Sequence, residues 1–152
     1  MSSICIVSFD PNTAELDSLT YRLTENAKKH GFGIYLGESM PFADGSRFHF
    51  DLSDDFRFPN CEYLLANPAW EKENQEIKPL AQRIRYIYET IQICLEYTAE
   101  LSLYISGDSG ALPDDYRTER ITLGDCQKIL ETELTAMDDP AYSLTVRFSI
   151  NA

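Results

Sequence analysis

The chain has 152 residues, 25 of them acidic and 13 basic, for a formal net charge of −12, with 43% hydrophobic and 12% aromatic residues. That is enough apolar material for one packed domain over 1–152, and it argues against a disordered chain. The charge repels nucleic acid and anionic lipid and favours basic partners, and no apolar run reaches the ~18 residues of a membrane span.

The N-terminal stretch MSSICIVSFDPN lacks a basic segment ahead of its apolar run, so it reads as cytoplasmic and not as a secretory leader. Within it, Ile4 to Phe9 is a β-prone run with apolar residues on both faces, as in a strand covered on both sides. Asp10-Pro11-Asn12 marks a turn, and Asn12 with Glu15 has capping-box spacing. Leu16, Leu19, Leu23 and Ala27 recur at helical spacing, Lys28 and Lys29 suit the last turn, and Gly31 suits a left-handed stop. These signals predict a helix over about 13–30, followed by a strand at FGIYLG and hence a β-α-β opening.

Residues 38–62 are rich in turn formers, with a short strand expected around Phe48 to Leu52 and a helical turn around Glu62 to Ala66. Ile77, Leu80, Ile84, Ile87, Ile91 and Cys94 form a helical stripe, widened by Ala81, Tyr88 and Leu95. They predict the longest helix, over about 72–100, with Pro79 moving its true start towards Ile77 or Lys78. LSLYIS and TERITL read as strands, Cys126 to Met137 as a third helix capped by Asp125, and YSLTVRFSI as an antiparallel strand with one wet face. The expected class is α+β: a mixed or mainly antiparallel sheet of five to six strands against a long amphipathic helix, with two further helices.

Gly107-Asp108-Ser109-Gly110 spells the setting of a chymotrypsin-like nucleophile. Such a serine needs a histidine base held by a carboxylate, and the only histidines are His30, in the last turn of the first helix, and His49, in a likely strand. Three helices do not fit a pair of β-barrels, and Gly, Asp, Ser and Pro113 are turn formers, so the stretch reads as a connection. Asp108 and Glu119 have the outer spacing of a calcium loop, but Gly110 and Leu112 stand where oxygen ligands are needed and Pro113 where glycine is. The cysteines, Cys5, Cys61, Cys94 and Cys126, include no CxxC pair, so no metal site or disulfide framework is expected, and buried reduced thiols are. There is no GxGxxG and no GxxxxGK[ST], and no cofactor is expected.

The negative charge is concentrated. Residues 38–62 carry six acids and two bases, 107–119 four acids and one base, and 131–139 four acids and no base. Aromatics are interleaved there, namely Phe42, Phe48, Phe50, Phe56, Phe58 and Tyr116. Clustered carboxylates with aromatic anchors suit docking to a basic protein, whereas the structural alternative is solvated loops with phenylalanines in the core. The candidate contact residues are Asp51, Asp54, Asp55, Phe56, Asp108, Asp114, Asp115 and Tyr116.

In size, α+β pattern and acidic loops such as HFDLSDDFRF and SGDSGALPDDY, the chain resembles bacterial immunity proteins that neutralise polymorphic or contact-dependent growth inhibition toxins. The resemblance implies a non-enzymatic toxin inhibitor that binds a cognate toxin domain, often a basic nuclease, one to one. Two other readings stand beside it. One is a small enzyme using His49, Asp51, Asp54 and Asp108, which calls for a concave pocket and a shifted carboxylate. The other is a self-associating scaffold with a second stripe through Tyr86, Tyr88 and Tyr97 on the long helix.

Overall fold

A computed structural model describes residues 4–9, 15–35, 48–54, 61, 63–66, 68–106, 117–122, 127–128, 131 and 143–149, with β5, β6 and the end of β4 described as backbone. In chain order these form β1 (Ile4–Phe9), α1 (Leu16–His30), β2 (Gly33–Tyr35), β3 (Phe48–Ser53), α2 (Pro68–Glu73), α3 (Leu80–Cys94), β4 (Glu100–Ser106), β5 (Arg117–Thr122) and β6 (Ser143–Ser149). The class is α+β, as expected from the sequence.

The strands lie in one sheet in the order β2-β3-β1-β4-β6-β5. Every pairing is antiparallel except β5 with β6, which is parallel. β1 and β2 are not neighbours, because β3 lies between them and runs antiparallel to both. The expected β-α-β opening is therefore split: β1 and β2 run the same way, with a later strand inserted in the gap.

α1 and α3 pack on one face of the sheet. Cys5, Val7, Phe9, Phe50, Leu52, Leu101 and Leu103 come from the strands, Leu19, Leu23 and Ala27 from α1, and Ile84, Ile87, Ile91 and Cys94 from α3, all in one core. Each fully buried Leu, Ile or Phe contributes about 1.5–3 kcal/mol, so this layer supplies much of the fold's stability. Phe50 belongs to this core, and Phe48 packs edge-on to Phe9 at 5.3 Å between ring centroids. Neither is an exposed docking anchor.

The helices depart from the expected bounds for local reasons. α1 begins at Leu16 rather than about 13; Glu15 precedes it without a side-chain cap, and Asn12 lies outside the described residues. Its end is as expected: Gly31 has φ of 79°, and the amides of Gly31 and Phe32 reach the carbonyls of Lys28 and Ala27.

The helix expected over 72–100 is broken. α2 stops at Glu73, residues 74–79 form turns, and α3 starts after Pro79, whose ψ of 144° is not helical. A proline has no amide for the preceding turn and keeps the residue before it out of the helical region. α3 then ends at Cys94, so it equals α1 in length at 15 residues and is not the longest element. Within the expected stripe Leu80 is only part-buried and Ala81 is exposed, while Arg83, Tyr86 and Thr90 are buried beside it. Gln127, Lys128 and Glu131 are helical and exposed; the remainder of the third expected helix lies outside the described residues.

Candidate functional site

The strand registers decide where the acidic stretches enter and leave the sheet. Ile4 at the start of β1 pairs with Ser106 at the end of β4, and Ser106 pairs with Ser143 at the start of β6. Arg117 at the start of β5 lies beside Leu144. On the other side Ile6 pairs with Asp51, so β3, two residues on, finishes level with the start of β1, and Ser53 there pairs with Gly33. The ends of β3 and β4 and the starts of β5 and β6 therefore lie at this one end of the sheet, where the chain passes into 54–62 and 107–116 and out of 138–142. These stretches hold eight acids against one base, including all three aspartate pairs, Asp54-Asp55, Asp114-Asp115 and Asp138-Asp139.

The stretch 38–62 does not act as a unit, because β3 cuts it in two. Its 38–47 half, with Glu38, Asp44 and Arg47, enters β3 from the opposite end. The opposite end receives residues 10–14, 36–47, 95–99 and 123–126, with five acids against one base. One of those acids, Glu96, is neutralised by a two-pronged ion pair with Arg22 at 2.8 and 3.0 Å. The basic end of α1 reaches the aspartate-rich end, but its lysines are engaged. Lys28 lies 3.5 Å from Glu25, and Lys29 lies 3.4 Å from Glu89.

Of the candidate contact residues, Asp51 and Asp54 are described; Asp55, Phe56, Asp108, Asp114, Asp115 and Tyr116 lie outside the described residues, as does the Gly107–Gly110 stretch. Asp54 follows β3 directly and its carboxylate accepts from the backbone amides of Tyr63, at 3.0 Å, and Leu64, at 2.6 Å. It thereby caps the helical turn that the sequence predicted, closed by the amide of Leu65 on the carbonyl of Cys61. Its charge is thus committed to holding that turn against the end of the sheet.

The same turn is held from the helix side by Arg83, which is fully buried. Its Nη1 donates to the carbonyls of Leu64 and Ala66, its Nε to that of Lys78, and its Nη2 to the Glu71 carboxylate at 2.6 Å. One guanidinium so joins α3, α2 and the turn. Outside it lie Tyr63 and Trp70, edge to face with centroids 5.4 Å apart, and Asn74 donates to the Tyr63 hydroxyl. Trp70 is 36% exposed. No periodic pattern marks these residues; the usable signal is a lone tryptophan just after Asn67-Pro68, outside any apolar stripe.

Asp51 is a strand residue facing away from the helices, since β3 buries Phe50 and Leu52 on the helical side. His49 and Ser53 share its face, and Ser53, Ile6 and Ser102 on the outer face are buried, so the expected cover on both sides of β1 is present. The Asp51 Oδ1 atom is buried without a hydrogen bond. Burial raises the Asp51 carboxyl above its ordinary range, partly opposed by His49. Of the features an enzyme centred on His49 and Asp51 calls for, a shifted carboxylate is therefore present.

Two clefts among the described residues lie elsewhere. The larger, about 540 Å³, is lined by Lys29, Arg85, Tyr88, Glu89 and Gln92 on the outer side of the helices. His30, in the last turn of α1, donates from its Nε2 to Glu89 at 2.9 Å. No group of three metal-ligating side chains occurs among the described residues, and no helix there is long and apolar enough to cross a membrane. No family model, curated protein or solved structure matches the chain.

Proposed function

We propose that the chain is a binding protein whose aspartate-rich sheet end docks on a basic protein surface, as an immunity protein does on its cognate toxin domain. The observation that carries this reading is the shared end of β3, β4, β5 and β6, where three acidic stretches and all three aspartate pairs open together. Carboxylates from separate connections then sum into one field, and such a field accelerates encounter with a cationic partner. Asp55, Phe56, Asp108, Asp114, Asp115 and Tyr116 are the contact residues of this reading. Asp54 shapes the face by fixing the neighbouring turn, and Asp51 adds charge from the outer side of β3.

Co-expression with the domain encoded immediately upstream tests the reading. Rescue of growth together with a one-to-one complex on co-purification supports it. A toxic upstream domain that is neither rescued nor bound overturns it.

A further inference from the structure

We infer that the larger cleft on the outer side of α3 is a binding site for a small organic anion, whose carboxylate or phosphate is taken by Arg85. The site is separate from the aspartate-rich end of the sheet and does not rest on the docking reading above.

Charge is the first ground. Arg85 lines the cleft together with Lys29, Glu89 and Glu96. Lys29 and Glu89 pair with each other, Glu89 also accepts from His30, and Glu96 takes the fork of Arg22. Arg85 is exposed and has no hydrogen bond or ion pair among the described residues. Among those residues it is therefore the one charge of this lining left without a counter-charge, and its planar fork matches a carboxylate or a phosphate. Convergence is the second ground. Arg85, Tyr88 and Gln92 stand at i, i+3 and i+7 on α3, hence on one face along about 10 Å of helix. Gln127 lines the same cleft from beyond β5. The side chains of Tyr88, Gln92 and Gln127 likewise have no hydrogen bond among the described residues, so a hydroxyl and two amides stay available beside the guanidinium. Shape is the third. A volume of about 540 Å³ suits a small molecule, and an adjoining cleft of about 290 Å³ shares Arg85 and Gln127. Glu131, in the lining of that second cleft, has an interaction of its own. Tyr88 and Ile93, part-buried against the core, give the larger cleft an apolar wall for the body of the ligand.

The experiment titrates the isotope-labelled full chain with phenyl phosphate and, separately, with benzoate, two ring-bearing probes that differ in the oxyanion. Amide chemical shifts locate the binding and calorimetry gives its strength. The expected result is saturable binding of at least one probe, with shift changes gathered at Arg85, Tyr88, Gln92 and Gln127. Binding should be roughly tenfold weaker for Arg85→Gln, which removes the charge and keeps the reach. It should be unchanged for Lys72→Gln, which removes an exposed cation from α2, outside the cleft. The probe that binds tighter assigns the oxyanion. No saturation by either probe up to about 10 mM would overturn the site. So would equal affinity of Arg85→Gln and the parent, or a loss in Lys72→Gln as large as that in Arg85→Gln.

Discussion

Arg83 has four acceptors and no access to water, and three of the four are backbone carbonyls. Removing its side chain leaves those carbonyls desolvated and Glu71 without its cation. Arg83→Ala should therefore destabilise the protein by about 3 kcal/mol, read as a lower urea midpoint. Arg83→Lys should recover less than half of that, because an ammonium cannot reproduce the planar fork. Asp51 behaves in the opposite sense. Its folded carboxyl holds a proton more tightly than the unfolded one, owing first to burial and in spite of His49, so ionising it costs stability. That cost is absent below the ordinary aspartate value of about 4 and grows as pH rises through the raised folded value. Asp51→Asn should thus be more stable than the parent at pH 7, and the difference should vanish below about pH 4 in thermal melts. The described thiols Cys5, Cys61 and Cys94 are all buried, as expected, and burial pushes those of Cys5 and Cys94 far up.

At the level of elements, the sequence spoke clearly wherever one periodic signal acted alone. The end of α1 at Gly31, the burial of both faces of β1 at Ile6 and Val7, and the position of β3 around Phe50 all follow from local patterning. The long helix was misread because Ile77 fits the stripe of α3 although Pro79 separates them; Ile77 is buried, but from a turn. Arg83 and Tyr86 were illegible for a different reason. A polar or amphipathic residue on a helix is placed inward only by partners distant in sequence, here the carbonyls of Leu64, Ala66 and, for the Tyr86 hydroxyl, Gly33. Tyr86 is fully buried and stacks on Phe32 at 4.7 Å, so it is unavailable for an outer stripe on α3. The two long helices are joined by Glu89, which accepts from His30 and Lys29 across the α1–α3 seam. Burial pushes the Glu89 carboxyl up, but the hydrogen bonds and charges of His30 and Lys29 outweigh it and hold the group below its usual range. A depressed carboxylate stabilises the fold above its unfolded value and loses that contribution as pH falls through the folded one. Glu89→Gln should accordingly be less stable than the parent at pH 7, with the gap closing between about pH 5 and pH 3.

For the whole molecule, the decisive feature is one that periodicity does not encode. Acid-rich connections could be recognised from composition, but whether they share a side depends on strand order and direction. Insertion of β3 between β1 and β2 sends residues 38–47 to one end of the sheet and 54–62 to the other. The antiparallel β4–β6 pairing and the parallel β5–β6 pairing then bring the end of β4 and the starts of β5 and β6 to the same end of the sheet as the end of β3. The most direct measurement is the association rate constant with the upstream-encoded domain, for the parent chain and for D108N/D114N/D115N, at low and physiological salt. The proposal predicts a rate for the parent that falls at least tenfold with added salt, and a slower rate with a flatter salt dependence for the triple variant. Equal rates for the two proteins, unmoved by salt, would contradict it.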